Sequence, residues 1–246
     1  MSSSETNFQA LWDNSAKTYS TFDDSYYPAR LKLDILKKYS EKSFHCLDIG
    51  IANGIYSIPL SSFVQSVDGV DISEKMLGKC KIEMDRFSIS NIFLHNKSAE
   101  ELPFENDKFD LAFSFATLAL VPKIEKAFSE INRTVKPGGY AILDITGKNN
   151  LSRIHWEKYY RSIGHFGLSS FSLSNLKDVI QSLGFDMIEN HSIGFLDQWK
   201  YIPGLNKIKW IERLTHAKNA VPDFDYRCSQ LIPRLANHWI IVLKKK

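Results

Sequence analysis

The stretch Phe44-His-Cys-Leu-Asp-Ile-Gly-Ile-Ala-Asn-Gly54 decides the fold that we expect for this chain. Its apolar run over 44–49 predicts a short buried strand that contains an acid, Asp48. The strand is followed at once by three small residues, at Gly50, Ala52 and Gly54. They predict a tight turn into a helix over 55–63. Because small side chains let a ligand approach the backbone and a helix start offers free N–H groups, the stretch predicts a nucleotide-binding turn.

The spacing of the small residues argues against two other nucleotide-binding turns. A dinucleotide fingerprint reads G-x-G-x-x-G, and counting from Gly50 its third glycine falls on Ile55. A P-loop ends in Gly-Lys-Ser or Gly-Lys-Thr, and neither follows this turn. Pro59 lies inside the predicted helix and predicts a kink or a later start. Taken alone, the stretch also fits an ordinary strand, turn and helix whose glycines serve geometry only.

The second predicted strand, over 67–73, also carries an acid at its end. Asp71 lies 21 positions after Gly50. An acid about 20 residues past a glycine turn can bind both hydroxyls of a ribose through its two oxygens. Ser73 then predicts the N-cap of a helix with Met76 on its inner face.

Length and composition allow one large α/β domain or two small ones. The chain has 246 residues, of which 43% are hydrophobic and 24% charged, and this is an ordinary globular composition. Its formal net charge of +3 is too small to argue for nucleic acid. Residues 195–246 nevertheless carry ten Lys or Arg against four Asp or Glu. That basic third favours either an anionic substrate or surface, or a solvated face.

Cysteine usage and the chain start predict a cytoplasmic location. The three cysteines lie far apart without a C-x-x-C pair, so we expect reduced thiols, no disulfide framework and no metal site: Cys46, Cys80 and Cys228. The first residues lack the basic and apolar regions of a signal peptide. Without a run of about 18 apolar residues, we expect no membrane span.

Later stretches continue the alternation of strand and helix. A third strand, over 92–94, precedes Ser98-Ala-Glu-Glu-Leu-Pro-Phe104, an acidic spacer, and an apolar strand that begins near Phe109-Asp110. Apolar residues at helical spacing over 124–135 predict an amphipathic helix. The helix is ended by a predicted loop, Lys136-Pro-Gly-Gly139, before a fifth strand. In this order, and with Asp-x-Gly-x-Ala-x-Gly over 48–54, the chain resembles small-molecule members of the class I S-adenosylmethionine-dependent methyltransferases. The first motif of that family is usually Asp-x-Gly-x-Gly-x-Gly, so Ala52 stands where the family has a glycine.

Alternating strands and helices predict a parallel sheet covered on both faces. The resemblance implies more: an α/β, three-layer, Rossmann-like fold whose seven-stranded sheet is mostly parallel, with an antiparallel last strand. We expect one domain over 1–246, with a helical cap over 1–40 and a cofactor-binding core over 41–146. Helical lid segments on the acceptor side are expected over 147–172 and 196–236.

The resemblance also implies S-adenosylmethionine as cofactor and S-adenosylhomocysteine as product. The spacing of Asp71 from Gly50 suits a dinucleotide enzyme as well as a methyltransferase. The turn after strand three is therefore the stretch that distinguishes the two. There the backbone N–H of Ala99 would read the adenine ring, while Ser98 stands where the family has an acid. Either Asn96 or Glu100 would compensate for that missing acid. The cofactor residues expected are Tyr19, Asp48, Gly50, Gly54, Asp71, Ile72, Met76, Ser98, Ala99, Glu100, Phe115 and Ala116. Packing roles stay open for Tyr19 and Met76.

The acceptor is less well defined than the cofactor. Both lid segments are rich in aromatic residues, which suggests a flat or partly apolar small acceptor. Phe115-Ala116-Thr117 lacks the Asn/Asp-Pro-Pro-Tyr/Phe pattern of enzymes that methylate amino groups of DNA or protein. The acceptor atom is expected to be an oxygen or nitrogen nucleophile, and its in-line placement supplies much of the rate. A hydroxyl acceptor would benefit from a base, while an amine or thiolate would need none. Candidates for that base, from chemistry and location, are His155, His165 and Tyr19.

Three other functions stay open. An RNA methyltransferase would use the basic C-terminal third and bind RNA in a salt-sensitive way. A non-catalytic module that keeps the fold would explain the departures at Ala52 and Ser98. A nicotinamide enzyme is disfavoured by the missing third glycine.

Overall fold

The structure is a computed structural model that describes residues 3–18, 27–202, 204 and 222–246. Within those ranges one sheet has seven strands in the order β3-β2-β1-β4-β5-β7-β6. The strands are β1 His45–Ile49, β2 Ser66–Asp71, β3 Ile92–Asn96, β4 Phe109–Ser114, β5 Val135–Thr146, β6 Phe185–Ile193 and β7 His238–Lys245. Strands β1 to β5 pair in parallel, and β7 pairs antiparallel with both β5 and β6. The predicted methyltransferase-type, Rossmann-like topology is confirmed.

Helices cover both faces of the sheet. The helices described are α1 Ser3–Ser15, α2 Tyr27–Lys38, α3 Ser57–Leu60, α4 Glu74–Arg86, α5 Ile124–Thr134, α6 Arg153–Ser162, α7 Leu173–Ser182 and α8 Pro222–Leu231. Side chains of α2 and α4 pack on one face, together with Ile142 of β5. Side chains of α5 and α7 pack on the other, together with Leu143. Successive residues of a strand point to opposite faces, so β5 contributes to both cores.

The helix expected after the glycine turn is shorter than predicted. Helix α3 covers only Ser57–Leu60, and one 3-10 turn, Ser61–Phe63, continues it. A proline ring clashes with a helical carbonyl four residues earlier, so Pro59 excludes Ile55 from the helix. The turn is therefore longer than expected and leaves more backbone outside regular structure.

The predicted loop over 136–139 is wrong in form, because these residues belong to β5. Phe109 pairs with Val135 and Leu111 with Tyr140, so Asp110 alone lies opposite four residues of β5. This wide bulge is accommodated by Gly138 at φ +78°. The chain thus passes from α5 straight into the sheet.

The segments expected to flank the core are helical in the parts described. Helices α1 and α2 lie within 1–40, and α6 lies within 147–172. The segment over 196–236 contains α8 and two 3-10 helices, Asp197–Tyr201 and Pro233–Leu235. The role of these flanking segments as cap and lids stays a prediction.

Among the helices that the structure describes, none combines the length and the apolar composition that a membrane span requires.

Candidate functional site

The backbone of the turn after β1 has a left-handed conformation that residues other than glycine rarely adopt. Gly50 and Gly54 have φ values of +81° and +83°, and Ala52 has a φ of +50°. Left-handed backbone costs a residue with a Cβ roughly 1–2 kcal/mol, so Ala52 needs compensation. The N–H groups of Gly50 and Ile51 both donate to the carbonyl of Val70, at 2.8 and 3.0 Å. These bonds join the turn to the end of β2.

Asp71 closes the turn from the side of β2. Its Oδ2 accepts the backbone N–H of Ala52 at 2.9 Å, and its Oδ1 accepts that of Ser73 at 2.9 Å. Burial raises the pKa of Asp71, while the bonds from Ser73 and Ala52 oppose the rise. Each carboxylate oxygen has a second lone pair, and these are the groups that two ribose hydroxyls require.

Asp48 lies buried beneath the same turn. The hydroxyl of Ser57, the first residue of α3, donates to its Oδ2 at 2.6 Å. Burial raises the pKa of Asp48 to about 7, the Ser57 bond lowers it, and the charge of Asp71 raises it further. Asp48 therefore ties the start of α3 to the end of β1.

Helix α1 and Met76 support the turn from the outside. The buried side chain of Met76 packs with Ala16 and Ala52. This contact favours the packing role over contact with adenine. Asp13 of α1 accepts a hydrogen bond from the hydroxyl of Ser73 at 2.6 Å. This bond joins the N-terminal helical segment to the start of α4. Tyr19 lies outside the described residues.

The turn after β3 is built from short local bonds. The hydroxyl of Ser98 accepts the N–H of Glu100 at 3.1 Å, and Ala99 is buried. The carboxylate of Glu100 accepts the backbone N–H of Lys123 at 2.9 Å. Glu100 is thus engaged by the loop before α5, and the hydroxyl of Ser98 is engaged by the backbone of Glu100.

The side-chain amide of Asn96, at the end of β3, donates to the carbonyl of Ile72 at 2.9 Å. The ends of β2 and β3 are therefore fixed together at the predicted adenine and ribose positions. Ile72 itself is half-buried between them.

The turn after β4 meets the glycine turn. A Cβ at Gly50 would lie 2.1 Å from Oγ1 of Thr117, so only glycine allows this approach. Ala116 is exposed at φ +55°. Phe115 is buried, and its ring packs edge-on against Tyr56, with the ring centroids 4.8 Å apart. The structure thus brings the predicted residues after β1, β2, β3 and β4 to one edge of the sheet.

A buried group of charges beside Phe115 was not predicted. Nζ of Lys32 lies 2.5 Å from Oδ2 of Asp144, and Nδ1 of His238 lies 2.8 Å from Oδ1. Nζ of Lys32 also lies 5.2 Å from the centre of the Phe115 ring. The three charged residues come from α2, β5 and β7, and Asp144 is only 3% exposed.

Its neighbours lower the pKa of Asp144. Burial acts to raise this pKa, but the interactions with His238 and Lys32 outweigh burial and hold it below its usual range. In the sequence, only Asp144 indicates this buried group, because it is an acid within an apolar strand. Its partners Lys32 and His238 are far away in sequence, so the sequence pattern does not identify them.

The two histidines proposed as bases have different surroundings. His165 is buried, its Nδ1 accepts the N–H of Gly167 at 3.2 Å, and its Nε2 lies 3.1 Å from the carbonyl of Leu120. Burial lowers the pKa of His165. With both nitrogens engaged by backbone, packing is the role that the geometry favours. His155 is exposed on α6, and its ring lies over that of Tyr201 at 4.9 Å.

The aromatic residues of the lid segments form one cluster. Trp156 of α6 packs against Tyr201 and Tyr160, with ring centroids 5.0 and 6.1 Å apart. Tyr160 packs against His165, whose ring reaches Trp12 of α1 at 6.5 Å. The cluster therefore connects the cap to both lid segments. Of the other lid aromatics noted in the sequence, Trp210 and His216 lie outside the described residues.

Comparison with known proteins finds methyltransferases. The model of a family described as a methyltransferase domain matches residues 47–143. A sterol 4-C-methyltransferase of Caenorhabditis elegans is 28% identical over 129 residues, which are 50% of this chain and 37% of that protein. A demethylmenaquinone methyltransferase of Staphylococcus aureus is 39% identical over 106 residues, 41% of this chain and 42% of that protein. The chain thus spans less than half the length of these two relatives.

Solved structures agree in fold. The Haemonchus contortus phosphoethanolamine N-methyltransferase 2, in complex with phosphomonomethylethanolamine and S-adenosylhomocysteine, superposes with a TM-score of 0.62 at 23% identity. The match covers 88% of this chain and 52% of that one. At this identity the likeness concerns the fold alone.

Proposed function

We propose that the chain is a class I S-adenosylmethionine-dependent methyltransferase, as the match of residues 47–143 to a methyltransferase domain supports, and that it transfers a methyl group from S-adenosylmethionine to a small-molecule acceptor. The observation that carries this proposal is the bond between Asp71 and Ala52. It presents a carboxylate at the end of β2 to the small-residue turn, which is where a nucleoside would need one.

The residues present fit this cofactor. We assign the ribose hydroxyls to Asp71, the adenine to Ser98 and the backbone N–H of Ala99, and the methionine part to the turn of Gly50 and Phe115. When bound, S-adenosylmethionine supplies an electrophilic methyl carbon on a sulfonium. The face of an aromatic ring favours a cation, and Phe115 already has an ammonium, that of Lys32, near its ring.

For the acceptor side, we assign the group of Lys32, Asp144 and His238. Nδ1 of His238 lies 2.8 Å from Oδ1 of Asp144. We propose that this contact holds the imidazole at the carboxylate, so that Nε2 is the nitrogen that would take a proton. The imidazole is 30% exposed, so an acceptor can reach it. With S-adenosylmethionine bound, the acceptor oxygen would bond to the methyl carbon as the bond from that carbon to sulfur breaks and S-adenosylhomocysteine leaves. Nε2 of His238 would take the hydroxyl proton, and Asp144 would stabilise the resulting imidazolium. We therefore propose His238 as the base, rather than His155 or His165.

The acceptor class is proposed from the lids and the relatives. The aromatic cluster around Trp156 and Tyr201 offers flat, apolar surface. The two relatives are named for a sterol and for demethylmenaquinone, which are both largely apolar. We therefore propose a partly apolar acceptor, and we propose its hydroxyl from the assignment of His238 as a base.

The test separates methyl transfer from cofactor binding. Transfer of a radiolabelled methyl group to extracted hydroxyl-bearing small molecules is measured for the wild type, His238→Gln and Asp144→Asn. We expect transfer to fall about 100-fold in His238→Gln, since general base catalysis contributes on this order. Affinity for S-adenosylhomocysteine should stay within about twofold in both variants, because neither residue is assigned to the cofactor.

His95→Gln is the matched control. His95 also pairs with a buried acid, since its Nε2 lies 2.7 Å from Oδ1 of Asp68, and this pair lies on the face of the sheet that α5 covers. It should transfer methyl groups like the wild type. An equal loss in His95→Gln would refute the role of His238. Absence of any transfer by wild-type protein that binds the cofactor would refute catalysis.

A further inference from the structure

Large apolar side chains are exposed on α6 and at the end of α8. Ile154 is 62% exposed and Leu231 82%, and on α6 no side chain is fully buried. We call the following residues the lid surface: Leu151, Ile154, Tyr159, Leu231 and Ile232. Isolated exposed apolar residues are ordinary, but a group at one place marks an interaction site.

The two parts of the lid surface are joined by Gln198. Its Oε1 accepts the backbone N–H of Leu151 at 2.6 Å, and its Nε2 donates to the carbonyl of Leu235 at 2.8 Å. Ser152 also donates to Oδ1 of Asn237 at 3.0 Å. The start of α6 therefore lies beside the segment that connects α8 to β7. Both follow or precede strand ends at the edge where Asp144 and His238 lie.

The charge around the apolar residues of α6 is positive. Residues 147–163 contain four Lys or Arg and one acid, Glu157. That acid is already paired, since Oε1 of Glu157 lies 2.7 Å from Nη2 of Arg161. Lys158 on α6 and Arg234 after α8 are exposed. A helix that exposes apolar and aromatic residues beside lysine and arginine is typical of binding at a lipid interface.

We propose that the lid surface binds the surface of an anionic lipid membrane. The apolar side chains enter the boundary of the acyl chains, and Lys158 and Arg234 extend to the anionic headgroups. A second copy of this chain is disfavoured as the occupant, because a symmetric contact would bring two basic faces together. The inference goes beyond methyl transfer and stands without it, since docking needs no cofactor.

Vesicle sedimentation tests this proposal with the full chain. The probes are vesicles of phosphatidylcholine alone and of phosphatidylcholine with phosphatidylglycerol. The wild type should sediment with the anionic vesicles, less so at high salt. Ile154→Glu with Leu231→Glu should weaken that binding at least about tenfold, because two apolar side chains are lost to the interface. Lys158→Glu should weaken it about fivefold or more.

Ile82→Glu is the matched control. Ile82 is 66% exposed on α4, away from the lids, so the substitution should change neither folding, followed by circular dichroism, nor vesicle binding. Equal loss in Ile82→Glu, or no binding of the wild type to either vesicle, would overturn the proposal. So would tighter binding to a single-stranded RNA, or a dimer that Ile154→Glu dissolves. Titration with S-adenosylhomocysteine reports on the proposed function independently.

Discussion

The backbone N–H of Ala52 donates to the carboxylate of Asp71 at 2.9 Å, and this bond fixes the turn after β1 to the end of β2. Ala52 stands where the family motif has a glycine, and it keeps the left-handed conformation that a glycine would adopt. The bond to Asp71 is a compensation for that cost. The departure at Ala52 is therefore compatible with a working cofactor turn.

Gly50→Ala should destabilise the protein more than Gly138→Ala. Both glycines have positive φ, so each substitution costs about 1–2 kcal/mol for backbone conformation. At Gly50 the new Cβ would also meet Thr117 at 2.1 Å, whereas at Gly138 there is open space. Overpacking adds about 1–3 kcal/mol. Equal losses in urea unfolding would show that the turns after β1 and β4 do not meet as described.

Asp48 should make the stability of the protein fall as pH rises. Its pKa is raised from 3.8 to about 7, so the folded state holds a proton that the unfolded state releases between those values. The contribution is complete below about pH 4 and lost as pH rises through about 7, on the order of 4 kcal/mol in total.

Unfolding free energies of the wild type and Asp48→Asn, measured across this pH range, check the prediction. The unfolding free energy of the wild type minus that of Asp48→Asn should decline from about pH 4 to about pH 7 and then level off. Ser57→Ala removes a bond that lowers the pKa, so it should extend the decline to higher pH. A difference that does not change with pH would contradict the burial of Asp48.

Lys32→Met should be strongly destabilising at neutral pH. It removes a charge that holds Asp144 ionised in the core, and such a loss costs about 3–5 kcal/mol. The pKa of Asp144 is lowered in the folded state, so its ion pairs stabilise the protein above its ordinary value of 3.8. The cost of Lys32→Met should shrink as pH falls through that value.

Lys81→Met is the control for this prediction, because Lys81 forms an exposed pair with Asp85 and should cost less than about 1 kcal/mol. The double variant Lys32→Met with Asp144→Leu should recover most of the loss in chemical denaturation. If Lys32→Met behaved like Lys81→Met, the buried pair would not exist in solution.

Ser98→Asp should raise the affinity for S-adenosylhomocysteine. It restores an acid at the position where the family has one, and a charged acceptor binds an amino group more strongly than a hydroxyl does. We expect a gain of about fivefold by calorimetry. Ser62→Asp adds the same charge before β2, at the opposite edge of the sheet, and should have no effect. Weaker binding in Ser98→Asp would place the adenine elsewhere.

The sequence predicted what depends on local pattern. The turn of Gly50 and Gly54, the acid at Asp71 and the cap at Ser73 all follow from spacing within one strand–turn–helix unit, and the structure has them. Pro59 predicted either a kink in α3 or a later start of that helix. Which of the two occurs depends on the clash with one backbone carbonyl, and the sequence pattern does not decide it. The bulge at 136–139 depends on how β5 pairs with β4, which local sequence does not contain.

The acceptor side depended on contacts between distant residues. Lys32 and Asp144 are 112 positions apart, and only Asp144 lies within an otherwise apolar stretch. Their pairing follows from α2 packing over β5, and His238 joins them only because β7 inserts beside β5. The expectation of a base at His155 or His165 rested on the lids alone, so it could not include residues of the sheet.

The most direct test of the central claim is calorimetric titration with S-adenosylhomocysteine of the wild type, Asp71→Asn and Asp85→Asn. We predict micromolar binding to the wild type and to Asp85→Asn, whose exposed acid lies on α4. Asp71→Asn, which keeps its shape but loses its charge, should bind at least about tenfold more weakly. Folded wild-type protein that fails to bind, or Asp71→Asn that binds as well as the wild type, would contradict the account and favour a non-catalytic module.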